Sequence, residues 1–331
     1  MMTWSREMRS TLVRSSRLRS LNLLCVAAGL HALIFSAAAG AQEKPVPAPA
    51  AAQKTFATAR EAAEALVSAS ESFDAPAMKA ILGPDGEDLV VTGEPVKDRD
   101  AATAFAAKAR EKLAVDPDPR NPNRAILSVG SQDWPLPIPI VRKDGKWRFD
   151  SKAGRQEILY RRIGANELDA IQICRGYVEA QHEYALLNLG GSPVNQYAQR
   201  IISTPGKQDG LAWRNPDGTW EGPVGEGIAR IIELGYTDKA TPYHGYFFKV
   251  LKGQGPAAPM GEMDFVVKGV MIGGFALVAV PAEYLVTGVK TFIVSHDGVV
   301  YEKDLGDRTP NVLKTMERYN PDKTWRRVPE E

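Results

Sequence analysis

The segment Thr291–Gly306, TFIVSHDGVVYEKDLG, gathers more side chains suited to acid–base or metal chemistry than any other part of the chain. His296 stands beside Asp297, with Glu302 and Asp304 a few residues on. An imidazole next to a carboxylate is the pairing of general-base catalysis, and several carboxylates together could hold a hard cation. The spacing favours a plainer reading. Asp-Gly suits a tight turn, because glycine enters left-handed backbone angles without a Cβ clash. The same dipeptide recurs at 85, 144, 209 and 217. Glu302 and Asp304 alternate onto one strand face with Val300, and the spacing of a calcium loop is absent. The segment is therefore expected to be a β-hairpin with a polar turn and a solvated strand face.

The remaining chemistry is scattered. Beyond residue 41 the histidines are His182, His244 and His296. The string QHEYA has no second histidine four residues on, so the zinc-protease helix motif is missing, although three separate elements could still bring the histidines together. No G-x-S-x-G, S-x-x-K or P-loop occurs, and Cys174 has no local protease signature. Cys174 falls on an apolar helical stripe with Leu168, Ile171, Val178 and Ala185, as a buried small hydrophobe does. The glycines of MIGGF, Met271 to Phe275, precede a strand where a dinucleotide site needs a helix, so they read as a turn or bulge. No cofactor and no metal is expected. The least bland stretches are GLAWRNPDGTWEGPVG and TPYHGYFFKV. Their Trp213, Trp220, Tyr243, His244 and Tyr246 sit in or beside Gly/Pro-rich loops, where aromatics anchor a protein or glycan partner. The alternative is that these rings cover a sheet edge as part of the core.

The elements that must position these residues can be read along the chain. Residues 1–41 form a signal peptide: Arg6, Arg9, Arg14, Arg17 and Arg19 precede an apolar run from Leu21 to Ala39, and Ala39-Gly40-Ala41 is a cleavage signal before Gln42. Uncleaved, this segment would be the one membrane anchor, since nothing later approaches the length of a span. The expected location is periplasmic or secreted. Without residues 1–41 the chain holds 36 basic and 39 acidic side chains, which leaves no basic footprint for a nucleic acid. It also holds a single cysteine, Cys174, so an internal disulfide is impossible.

Residues 42–55 are a Pro/Ala-rich linker. An N-terminal α+β domain over 56–162 follows, with helices at ATAREAAEALVSASESF, at DAPAMKAIL, capped by Asp74, and over Arg99 to Ala114. Strands at RAILSVGSQ, LPIPIVRKDG and KWRFDS complete it, with Asp144-Gly145 as a hairpin turn. The order resembles the cone-shaped nuclear-transport-factor-2-like fold. The second domain, 163–331, is expected to open at Asn166 with a capping box to Asp169 and to lay one long helix on an antiparallel β-meander. Its strands are read at YHGYFFKVLKG, MDFVVKG, GFALVAVPAE and KTFIVSHDGVVYEKD, with a short helix at GEGIARIIELG.

Five ordered strings carry a closer likeness: YVEAQHEYA, YAQRIISTPGKQDGLAW, PYHGYFFKVLKGQGPAAP, GGFALVAVPAEYLVTGVKTFIVSHDGVVYEKDLG and YNPDKTW. Together they resemble an uncharacterised family of exported bacterial proteins, domain of unknown function 2950, from about Phe56 to Val328. The resemblance implies an envelope location and no activity, substrate or catalytic residue. The C-terminal half also looks like the globular head of type IV pilin-like proteins, but lacks their processing site and apolar N-terminal helix. The function read from all this is a non-catalytic accessory or protein-interaction module. Its rival is an enzyme or small-ligand binder using a cavity in the cone-like domain, with Asp88, Asp100 and Asp133 as candidate occupants. A third reading is homo-assembly through the pilin-like sheet edge.

Overall fold

The computed structural model describes residues 52–92, 94–189, 191, 193–225 and 242–330, which form a mixed α+β structure. The signal segment, most of the linker and the helix expected at GEGIARIIELG, apart from Gly225, lie outside the described residues. No helix among the described residues is long and apolar enough to cross a membrane.

Helix α1, Ala59–Glu71, begins where Thr58 Oγ1 accepts the Glu61 N–H at 3.1 Å, and Glu61 in turn accepts the Ala57 N–H. Helix α2, Ala75–Leu82, starts at the expected cap, with Asp74 Oδ1 accepting from Ala77 N at 3.0 Å. A one-turn α3, Glu87–Val90, leads to α4, Pro95–Glu111. The chain then runs through β1 Leu113–Asp118, β2 Asn121–Val129, β3 Trp134–Pro135, β4 Ile140–Lys143 and β5 Lys146–Phe149. These make one antiparallel sheet in the order β1-β2-β4-β5, with β3 paired to β2. The β4–β5 turn has Asp144 at φ 52° and Gly145 at φ 76°, the mirror-image turn that Asp-Gly predicts. Strand β1 escapes the sequence reading because it carries Pro117 and is irregular at Pro117/Asp118, features that strands accept at sheet edges, at their ends and at bulges. Leu66, Val67, Ile81, Leu127, Val129, Ile140 and Phe149 are buried together, so the face of the sheet that meets the helices is filled by side chains.

Helix α5, Ser151–Leu187, is 37 residues long and begins well before Asn166. Its cap is Asp150, whose Oδ1 accepts the Ala153 N–H at 3.0 Å. The expected capping box at Asn166 and Asp169 is corrected accordingly. No proline interrupts residues 151–165, so nothing stops the helix there, and both side chains are spent on tertiary bonds. The expected stripe also shifts: Leu168 is exposed, while Ala170, Cys174, Tyr177, Val178, Gln181, Tyr184 and Ala185 are buried. The boundary expected at 162/163 falls inside this one helix.

Beyond α5, β6 Arg200–Ile202 pairs in parallel with β7 Gly210–Arg214, which pairs with β8 Trp220–Glu221. Then come β9 Tyr246–Leu251, β10 Gly253–Gln254, β11 Met263–Asp264, β12 Val266–Val267, β13 Val270–Met271, β14 Ala276–Pro281, β15 Lys290–Ser295 and β16 Val300–Asp304. A short α6, Thr309–Thr315, and strands β17 Arg318–Tyr319 and β18 Arg326–Arg327 follow. The main sheet is antiparallel with order β18-β16-β15-β14-β9. Both α5 and α6 pack on β14, and all six β14 residues are buried, which explains their uninterrupted apolar run. This second core is continuous with the buried stripe of α5 and distinct from the first.

Candidate functional site

The Thr291–Gly306 segment is the expected hairpin, with Gly298 at φ 75° and its N–H bonded to Ser295 O at 2.9 Å. Asp297 Oδ1 accepts from Ser295 Oγ at 3.1 Å and from Val299 N at 3.0 Å, so it stabilises the turn. It does not meet the His296 ring, which lies edge-on to Phe265 and Phe275. Asp304 accepts from Tyr284 Oη and Gly306 N. Among the described residues no three metal-capable side chains converge. His182 is exposed, with one edge of its ring against Phe275. Cys174 is fully buried, and burial pushes its thiol up to about 12.

The five aromatic candidates divide by burial. Trp213 is 6% exposed in the core, its indole N–H directed at Glu221 Oε2 at 3.4 Å, and Trp220 is half-buried beside it on β8. Tyr246 is fully buried and donates to Lys290 O at 2.9 Å. Burial, with Glu167 and Cys174 nearby, holds its phenol far above the usual range. Tyr243 is half-buried, and burial followed by the Asp169 charge raises its phenol too.

His244 is the exposed member, and the local fold accounts for its position. Tyr243 and Tyr246 exchange two backbone hydrogen bonds of 2.9 Å, closing a two-residue turn with His244 at φ 48° and Gly245 at φ 74°. Such a turn needs positive φ at both central positions and prefers Asn-Gly, and histidine is among the few other side chains enriched there. The turn presses on α5: a Cβ on Gly245 would lie 2.5 Å from Asn166 Nδ2 and 3.0 Å from Thr287 Cβ. The imidazole then reaches Asp169, with Nδ1 2.5 Å from Oδ2.

Three successive turns of α5 hold this corner. Arg162 donates to Val286 O at 3.2 Å, Asn166 Nδ2 to Thr287 O at 2.8 Å, and Asp169 binds His244. Glu167 Oε1 accepts the N–H groups of Val289 and Lys290 at 2.9 and 3.0 Å. Between them the 282–288 loop turns out Leu285, 54% exposed at φ 63°, and Val286, 38% exposed. The surface offers an imidazole, a guanidinium and two aliphatic side chains. Asp169 was missed as its partner because the two residues are 75 apart in sequence and no local pattern links them.

The carboxylates nominated for an N-terminal cavity point elsewhere. Asp88 is bonded to Arg155, Asp133 to Lys112, and Asp100 is exposed on α4. The buried carboxylate there is Asp98, which accepts the Thr92 N–H and hydroxyl at 3.0 and 2.6 Å and closes the loop before α4. A cleft of about 440 Å³ does lie beside this unit, lined by Gln53, Pro84, Asp85, Arg148, Asp150 and Lys152.

A family of proteins of unknown function, DUF2950, matches residues 53–328. The chain belongs to this DUF2950 family. No curated protein and no solved structure matches it. The match spans both cores and includes every residue of the His244 corner.

Proposed function

We propose that this DUF2950 protein is an exported accessory protein of the cell envelope that docks a protein partner at the corner formed by α5 and the Tyr243–Tyr246 turn. The observation that carries the reading is the His244–Asp169 pair. A turn that only had to reverse the chain would favour Asn-Gly; this one holds a histidine at positive φ, fixed by a carboxylate and flanked by exposed Leu285 and Val286. Export is supported by the five arginines, the apolar run and Ala39-Gly40-Ala41.

The test is in-cell cross-linking of the full-length tagged protein beside a His244→Ala/Leu285→Ser variant, with N-terminal sequencing of the mature form. One abundant adduct that disappears in the variant, on a chain starting near Gln42, is the expected result. Adducts indifferent to the substitutions refute the docking corner, and an unprocessed chain retained in the cytoplasm refutes export.

A further inference from the structure

A second concavity lies where the end of α5 meets the segment leading into β6. It is an open hollow of about 300 Å³ lined by Tyr184, Gln196, Tyr197, Gln199, Gln208 and Asp209, with Leu189 as its aliphatic member. That volume is at the lower end of the range for small-ligand sites.

The walls are fixed by bonds, several of them made by the lining side chains: Gln199 Nε2 donates to Gly269 O at 2.7 Å and both Asp209 oxygens accept from Thr204, so Gln196 and Gln208 are the carboxamides left available. Gln181, fully buried on α5, makes a two-way pairing with Ala198, accepting its N–H and donating to its carbonyl, both at 2.8 Å. Tyr197 N bonds Met271 O at 2.8 Å, and Gln199 N bonds Asp209 O at 3.1 Å. Tyr184 donates to the Gln208 carbonyl at 2.5 Å. The Tyr197 ring is locked against Phe275, centroids 4.8 Å apart. A pocket whose walls are already ordered loses less entropy when a ligand enters.

The lining chemistry narrows the ligand. It presents three carboxamides, two phenol rings, one carboxylate and the Leu189 side chain, without an ammonium or guanidinium group, and the Tyr184 hydroxyl is already spent on Gln208. Burial works to raise the Asp209 carboxyl, but the Thr204 N–H and hydroxyl, then Arg200, outweigh it and hold the group ionised below the usual range. An anion would meet that carboxylate, and the nearby cation, Arg200, is already paired with it at 3.8 Å, while an apolar ligand would strand the carboxamides. A ligand bearing many hydroxyls suits all of them: carboxamides both donate and accept, a carboxylate accepts, and phenol rings cover apolar C–H faces.

We infer that this pocket binds a neutral saccharide unit, about one pyranose ring of a glycan. It is a site separate from the His244 corner and does not rest on that proposal. The test titrates the mature chain with N-acetylglucosamine, chitotetraose and maltotetraose to roughly 10 mM by calorimetry and by NMR of the tyrosine resonances. A Gln196→Ala/Gln208→Ala variant and His244→Ala are run in parallel. Gln196 and Gln208 are partly or fully exposed, and an unchanged unfolding midpoint confirms that the double variant folds. Saturable binding of at least one saccharide is expected, weakened about tenfold by the double variant and unchanged by His244→Ala. No saturable binding of any of the three, or binding that the double variant leaves intact, overturns the inference.

Discussion

Replacing Gln181 by leucine tests whether one buried carboxamide holds the 196–199 segment onto α5. The substitution keeps the side-chain size close to the original, so it removes hydrogen bonds more than volume. Ala198 is fully buried and loses the partner of both its N–H and its carbonyl, while Tyr177 keeps its bond to Ala276 O. A buried backbone group left without a partner costs roughly 1–3 kcal/mol, and some relaxation of the segment is expected, so the total is about 3 kcal/mol. For a chain of this size that corresponds to a fall in Tm of roughly 4–6 °C, followed by circular dichroism and checked by urea unfolding. Gln181→Glu adds a signature of its own. Ionised, it still accepts from Ala198 N but faces the Ala198 carbonyl, so its folded-state pKa lies above the unfolded value of about 4.3. The folded state then holds more protons than the unfolded one. That variant is most stable below the unfolded value and loses stability as pH rises through the folded one. If Gln181→Leu unfolds within about 0.5 kcal/mol of the parent, the carboxamide does not anchor the segment and the reasoning fails.

Three further outcomes are expected. Gly288→Ala would place a Cβ 2.2 Å from the Tyr246 hydroxyl, and since that ring is fully buried it cannot retreat, so a loss of roughly 1–3 kcal/mol should appear as a lower urea midpoint. An unchanged midpoint would mean that Tyr246 is not sealed there. Cys174, with its thiol pushed up to about 12 by burial, should resist iodoacetamide at pH 8 in the native protein and react once unfolded; stoichiometric native labelling would contradict its place in the core. Asp209 has a folded-state pKa below its ordinary value, so the stability it contributes is present above that ordinary value and is lost as pH falls through the folded one. Asp209→Asn should therefore show a shallower loss of stability below about pH 4 than the parent, measured by urea midpoints across pH; parallel profiles would refute the assignment.

Elements that announce themselves locally were legible in the sequence. Asp74 before Ala-Pro, Asp144-Gly145 between two strand patterns, and Asp297-Gly298 each act through the next few residues, and the structure has a cap and two turns at those places. What failed to show is what depends on distant partners. Asn166 and Asp169 looked like a helix start because their spacing matches a capping box, yet their bonds go to Thr287 and His244, far away in sequence. Strand β1 was hidden by Pro117, a residue that strands accept at sheet edges, at their ends and at bulges. Of the five aromatic candidates, Trp213 and Tyr246 proved to be buried and His244 exposed, because an aromatic beside glycines reads the same whichever way its ring turns. Gln181 carried no signal at all: a glutamine on a helix is ordinarily a solvated residue.

Helix α5 also sets a phase relation between distant parts of the molecule. Its first turns pack on Ile138 and Leu82, and its later turns on the β14–β16 sheet, without a break between. Each residue of a helix advances the direction of its side chain by about 100° and its position by about 1.5 Å. Inserting a single residue near Gly164 would thus swing every later contact a quarter-turn or more out of step with every earlier one. The bonds from Arg162, Asn166 and Asp169 to the 286–287 loop and His244 act as teeth that fix this alignment. Along this helix even one extra residue would throw one core out of step with the other.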